Sequence, residues 1–574
     1  MANHYDAVIV GSGFGGSVMA YELASADMKV CVLERGRSYP PGTFARSPFR
    51  MGRNFWDPNS GRLGLFDVWS FQSSEAVVAS GLGGGSLIYA NVLIRKPDEW
   101  FVDKLPDGTY RKWPIGREDL EPHYDAVERV LGAQQYPFST EPYASTSKTV
   151  AFRAAADHLK LHWELPNLAV SFAPKPGAPA ALAVPIEEAT PNLHGRVRHT
   201  CRLCGECDVG CNYGSKNTLD YNYLSMAAHA RPHPCEILPN CEVKQFRFEG
   251  GRYVIDYVVH DPARPAVNGA PEQRASITGD RLVLAAGTLG STYLMLKNRQ
   301  NLPSLNASAL GTRYSTNGDL LTFVMRCRDE SVNPATARII DAGRGPVITS
   351  TVRVDIDTHR GFFIQDAGYP DFVSWLVEIG DARRMLSRGL RFLWRRLLDW
   401  WFKDPHSEID GQLSELIGPC ELSSGSLPLL GMGRDTADGK MFLQKSRRSG
   451  KEYLQVDWHR RGSEDFFDAV NDYSRRMAVA MGGTFVENPD TKHLKRIVTV
   501  HPLGGCPMGT EPGSGVVDTW GRVLDVKGDP IPGLYIADGS VMPGSVGPNP
   551  SLTIAALSRR FAHGIVDRFR QHQR

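Results

Sequence analysis

Short apolar runs, interrupted by glycine turns and helical stretches, set the pattern at the start of the chain. Tyr5–Val10 predicts a buried parallel strand, because its residues are apolar on both faces apart from Asp6. Gly11-Ser12-Gly13-Phe14-Gly15-Gly16 follows, then a helical stretch from Ser17 to Ser25. A second apolar run, Lys29–Leu33, closes on Glu34. Strand-like runs return at Val243–Phe248, Tyr253–His260 and Arg281–Ala286. Helices are expected over Phe466–Met481 and Ser551–Arg568. Residues 45–200 are irregular and rich in Pro and Gly, notably Pro174–Pro185, and a glycine run occupies 81–85. Nucleotide-type segments at both ends and in the middle, with other material between them, predict an α/β protein (α+β overall). Its Rossmann-like domain is discontinuous and carries an inserted domain.

Composition narrows this picture little. The 574 residues exceed one ordinary core, so two domains are expected. A formal charge of +2 gives no reason to expect a nucleic-acid partner. No apolar run reaches the roughly 20 residues a spanning helix needs, and the N-terminus lacks the flanks of a secretory signal. A cytoplasmic protein is the expectation.

Gly11, Gly13 and Gly16 form G-x-G-x-x-G between a strand and a helix, the setting in which the motif has meaning. The glycines allow the turn, the approach of a pyrophosphate and close helix–strand packing, and the helix N-terminus favours an anion. Ser12 lies within this turn. Glu34 stands where an acid binds ribose hydroxyls, which disfavours a 2′-phosphate but does not separate NAD from FAD.

Three further segments carry a family resemblance: Ala79–Asn91, with Gly83, Gly84, Ser86 and Asn91; Leu282–Thr292, with Gly287; and the C-terminal segment. The last reads His501-Pro502-Leu503-Gly504-Gly505-Cys506, then Asp538-Gly539-Ser540, then Gly547-Pro548-Asn549-Pro550-Ser551-Leu552-Thr553. Together with Asn317-Gly318-Asp319 they resemble the glucose–methanol–choline family of FAD oxidoreductases, in its cholesterol oxidase-like branch. Asn91 stands two positions later than that branch places its asparagine.

The resemblance implies non-covalent FAD held by Gly11, Ser12, Gly13, Gly16, Glu34, Gly83, Gly84, Ser86, Asn91, Val243, Gly287, Asp538, Gly539, Asn549, Pro550 and Thr553. It implies an FAD-binding domain of residues 1–44, 200–310 and 490–574, and a substrate domain of 45–199 and 311–489 on a mostly antiparallel sheet. The catalytic pair it implies is His501, managing the hydroxyl proton, and Asn549, fixing the hydroxyl oxygen. The expected substrate is a 3-hydroxysteroid or another bulky lipophilic alcohol, and the electrons go to oxygen or to an acceptor protein. A sugar, polyol or aliphatic alcohol is the alternative, and a fatty-acid photoenzyme a remote one. Glu378 is a weak candidate for a steroid-isomerising base.

Cys201-x2-Cys204-x2-Cys207-x3-Cys211 has the spacing of ferredoxin-type iron–sulfur ligands, with Asn212 where proline is usual. An iron–sulfur cluster, a zinc or thiol structural site, and inert cysteines or disulfides all remain open. Arg383–Lys403 alternates cations with Leu, Phe and Trp, a pattern suited to a membrane interface or to packing on its own domain.

Overall fold

A computed structural model describes residues 3–105, 107–262, 272–329, 336–370, 425–446, 450–488, 491, 496–511 and 513–573. Glu378 and Arg383–Lys403 lie outside the described residues. The chain opens with β1 (Ala7–Val10), α1 (Phe14–Ala24) and β2 (Val30–Leu33). The stretch expected to be irregular instead holds short strands, among them Phe66–Ser70 and Ser74–Ala79, and the helices Arg117–Val130 and Ser147–His158. After it come the helix Tyr223–Ala228, β3 (Glu236–Leu238), β4 (Leu282–Leu284) and α2 (Gly287–Lys297). Then follow β5 (Leu320–Met325), β6 (Thr351–Asp357), β7 (Arg360–Asp366), β8 (Leu427–Gly433), α3 (Glu464–Ala480) and β9 (Thr484–Glu487). The chain closes with β10 (Pro530–Ile536) and α4 (Ser551–Gln573).

Two six-stranded sheets organise these elements. The first runs β3-β2-β1-β4-β10 in parallel, with Arg522–Leu524 antiparallel at its edge. Every residue of β1, β2 and β4 is buried, as a sheet covered on both faces requires. Each fully buried Val, Leu or Ile there contributes about 1.5–3 kcal/mol by leaving water. The second sheet is antiparallel throughout: His162–Glu164, β6, β7, β8, β5, β9. Its core is separate and includes Phe362, Ile364, Leu427, Leu429, Phe466, Phe467 and Val470. The expected combination of a Rossmann-like sheet and an antiparallel sheet is therefore present.

One predicted element is divided. Asp6 interrupts the expected strand Tyr5–Val10, so that His4–Tyr5 pairs with Gln273–Gly279 while β1 begins at Ala7 and pairs with β2. The Asp6 carboxylate accepts from the amide of Lys29, 23 positions away, at 2.7 Å, and the Lys29 carbonyl accepts in turn from the amides of Asp6 and Ala7. The final helix begins at Ser551, two residues before Thr553. Among the described residues no helix is long and apolar enough to cross a membrane.

Candidate active site

The glycine turn after β1 is shaped by close backbone approaches. Gly11 has φ +99°, and a Cβ there would stand 2.3 Å from the Ala285 carbonyl oxygen. A Cβ at Gly15 would stand 1.5 Å from that of Ala537, and one at Gly16 2.0 Å from that of Gly11. Gly13 differs: nothing lies within 4 Å of where its Cβ would be, and the same holds for Gly85 and Gly287. Gly84 meets Gly13 directly, its absent Cβ 2.6 Å from the Gly13 Cα. The two glycine-rich segments thus abut, leaving open space beside a helix whose N-terminus no side chain caps.

Glu34 is buried at the end of β2. Its Oε2 accepts from the Ser12 amide at 3.0 Å and the Ser12 hydroxyl at 2.6 Å, and its Oε1 accepts from the Gly36 amide at 2.8 Å. Burial pushes its carboxyl up from the ordinary range, against the pull of these hydrogen bonds. Oε1 retains a lone pair for a ribose hydroxyl. Asn91 is wholly buried with φ +70°, and neither end of its amide has a partner. Such an orphaned group marks a place for a ligand. Open space at Gly13, the uncapped helix start, Glu34 and Asn91 together fit a dinucleotide cofactor such as FAD.

Several expected cofactor contacts have their side chains directed inward. The Ser12 hydroxyl accepts from the Gly83 amide while donating to Glu34, and Ser86 donates to the Gly83 carbonyl and accepts from the Leu219 amide. Asp538 accepts from the amides of Gly287 and Ser540 and from the hydroxyls of Ser291 and Ser540, tying β10 to the start of α2. A Cβ at Gly539 would press on Thr288. The Thr553 hydroxyl stands 3.0 Å from that of Tyr124. Val243 is buried two residues beyond Cys241, whose amide donates to the Glu34 carbonyl. Pro550 is buried, and its carbonyl accepts from Ile554 in the first turn of α4.

His501 follows the strand Ile497–Thr499, and its Nδ1 lies 2.8 Å from the Asp319 Oδ1. Asp319 is almost fully buried, and its Oδ2 accepts from the Thr499 hydroxyl and the Val500 amide, each at 2.9 Å. Opposite a carboxylate, Nδ1 is the ring nitrogen suited to donate, and in a neutral imidazole that tautomer puts the lone pair on Nε2. Asn549 is held from the antiparallel sheet: Gln365 on β7 donates from Nε2 to its Oδ1 at 2.9 Å. Asn317 clamps the preceding turn, accepting from the Gly547 amide and donating to the Gly547 and Pro548 carbonyls. Both expected catalytic residues are thus tied to the segment 317–319, His501 directly and Asn549 through its loop. The sequence had drawn attention to this segment without giving it a role. Gln365 carried no signal, since a glutamine in an apolar strand shows nothing of the partner it will meet.

Cys201, Cys204, Cys207 and Cys211 line one small cavity as free thiols, together with Lys216. Lys216 donates to the carbonyls of Leu87 and Cys207, joining this loop to the glycine-rich segment, and burial lowers its pKa to about 8. The iron–sulfur expectation gains no support. Among the described residues no three His, Cys, Asp or Glu side chains converge enough to hold a metal ion. Burial, with the neighbouring cysteines, pushes the thiols of Cys201 and Cys204 up, and burial pushes up that of Cys207.

Comparison with known proteins agrees with this geometry. Residues 436–558 match the family model "GMC oxidoreductase", and residues 9–50 match "NAD(P)-binding Rossmann-like domain". A cholesterol oxidase of Mycobacterium tuberculosis is 29% identical over 98% of this chain and 91% of its own. One of Acinetobacter baumannii is 27% identical over 97% of this chain and 93% of its own. Among solved structures, a pyridoxine 4-oxidase from Mesorbium loti superposes with a TM-score of 0.56 over 97% of this chain and 98% of its own. At 16% identity it speaks for the fold alone.

Proposed function

Because the chain belongs to the GMC oxidoreductase family and is an FAD-dependent enzyme of the kind that oxidises alcohols, we propose that its substrate is a 3-hydroxysteroid or a similarly bulky lipophilic alcohol. In this reading residues 1–44, 200–310 and 490–574 hold non-covalent FAD, and 45–199 and 311–489 form the substrate side. The observation that carries it is a histidine fixed by a buried carboxylate and an asparagine fixed by a buried carboxamide, with the segment 317–319 tied both to the histidine and to the turn before the asparagine. The steroid class is supported by similarity along nearly the whole chain to two cholesterol oxidases.

Bound FAD supplies a two-electron acceptor for the hydride of the carbinol carbon. The protein's part is to place that carbon and to take one proton. The Asn549 Nδ2 donates to the hydroxyl oxygen, and the His501 Nε2 accepts the hydroxyl proton as the carbonyl forms. Asp319, hydrogen-bonded to Nδ1, favours the imidazolium that results. Gly13, Gly84 and the start of α1 receive the pyrophosphate, and Glu34 the adenosine ribose. Oxygen or an acceptor protein would take up the electrons in turn.

The test is an anaerobic absorbance spectrum of the purified protein before and after addition of a 3-hydroxysteroid. Flavin bands that bleach support the reading. Bands that bleach only with a sugar, polyol or straight-chain alcohol overturn the substrate class and leave the alcohol chemistry. A folded protein that shows no flavin even after FAD is supplied overturns both.

A further inference from the structure

The carboxamide of Asn549 has two ends with opposite hydrogen-bonding character, and its terminal torsion alone prefers neither strongly. Only the Nδ2 end can donate to an alcohol oxygen. Clamping Gly547 and Pro548 through Asn317 fixes the backbone ahead of Asn549 without choosing between the two orientations. Gln365 bears on this choice: as the structure has it, its Nε2 donates to the Asn549 Oδ1 at 2.9 Å, an orientation that turns the oxygen end toward β7 and leaves Nδ2 for the substrate.

Gln365 is well placed to impose this choice. It lies at the penultimate position of β7, between Thr351 of β6 and Leu430 of β8, and is wholly buried. The next residue, Asp366, accepts from the amides of Thr349 and Ser350, and the buried Lys148 donates to its carbonyl. The end of the strand is therefore stiff. Packing does not account for a glutamine here. Its Oε1 is buried without a partner, a cost that an apolar side chain of similar shape avoids.

We propose that Gln365 is a positioning residue of the alcohol site, which orients the Asn549 amide so that its N–H faces the substrate oxygen. This rests on the reading of Asn549 given above. The test is a double-mutant cycle on the FAD-loaded enzyme, followed by flavin bleaching at saturating 3-hydroxysteroid. Gln365→Leu should slow bleaching by roughly 10- to 100-fold with KM within about threefold of the parent, because a donor important in the transition state is misdirected. FAD content and melting temperature should stay at parental values. In the Asn549→Ala background the same substitution should cost nothing further, since there is no amide left to orient.

An equal loss in both backgrounds overturns the proposal, as does a parental rate in Gln365→Leu. If Gln365→Leu fails to fold, the nearly isosteric Gln365→Met takes its place in the cycle under the same criteria. A parental rate in Asn549→Ala alone, with flavin retained, instead overturns the role of Asn549 itself.

Discussion

Asp319 Oδ1 and His501 Nδ1 are 2.8 Å apart, although 182 residues separate them in the chain. The bond ties the start of the antiparallel sheet to the C-terminal segment and gives the imidazole one orientation and one tautomer. Asp319→Asn should lower the rate of flavin bleaching by about 10- to 100-fold, as expected when a base is held less well in its working form. FAD content should remain near parental, because Asp319 makes no bond to Glu34 or to the glycine loops. Stopped-flow reduction at saturating alcohol checks both points.

His501→Ala and Asn549→Ala remove the groups proposed to handle the hydroxyl. Each should reduce the bleaching rate by roughly 10²- to 10⁴-fold while the flavin spectrum of the oxidised protein persists. The spectrum and the anaerobic reduction rate of the same sample separate lost chemistry from lost cofactor.

Two glycines only two positions apart should behave in opposite ways. Gly13→Ala adds a methyl where nothing lies within 4 Å, so the apo fold should keep its melting temperature while FAD affinity falls. Gly15→Ala drives a Cβ to within 1.5 Å of the Ala537 carbonyl oxygen and should yield little folded protein. Melting curves of the apoproteins, with FAD titrations where the variant folds, make the comparison.

His123 gives stability a pH dependence. Burial, with the neighbouring Arg559 guanidinium, holds its pKa down to about 4, and Arg559 Nη1 lies 3.1 Å from the His123 Nδ1. The unfolded chain, with an ordinary histidine near 6.5, binds the extra proton first as pH falls. The stabilisation from keeping this ring neutral is therefore complete above about pH 6.5 and is lost as pH drops through about 4. The melting temperature should climb between those values, and His123→Gln should flatten the climb. Thermal melts across that range, parent against variant, measure the difference.

The parts of this molecule legible in the sequence are those in which neighbours in the chain act together. The dinucleotide turn, its flanking strands, α3 and the terminal helix all announce themselves through local spacing. The break at Asp6 is not legible in an otherwise apolar run, because its carboxylate meets an amide 23 positions away, at Lys29. Ser12, Ser86 and Asp538 sit in the expected segments, yet their side chains hold loops together, a division of labour that motif spacing does not express. Asp319 and Gln365 gain their partners from residues 182 and 184 positions away, so only the packing of one sheet against the C-terminal segment brings them together. The four cysteines show the reverse limit: ligand-like spacing brings them to one small cavity, yet among the described residues no three His, Cys, Asp or Glu side chains form a metal-holding group.

Asn317 and Asp319 are separated by a single residue, Gly318, with φ +63° and no room for a Cβ beside Phe466. One of the pair grips the turn before Asn549 and the other grips His501. The gauge between the two residues proposed to meet the alcohol is therefore set by one short crossbar at the head of β5. On the proposed reading, the walls that choose a substrate can change elsewhere on that sheet while this crossbar keeps the two alcohol-handling residues in register.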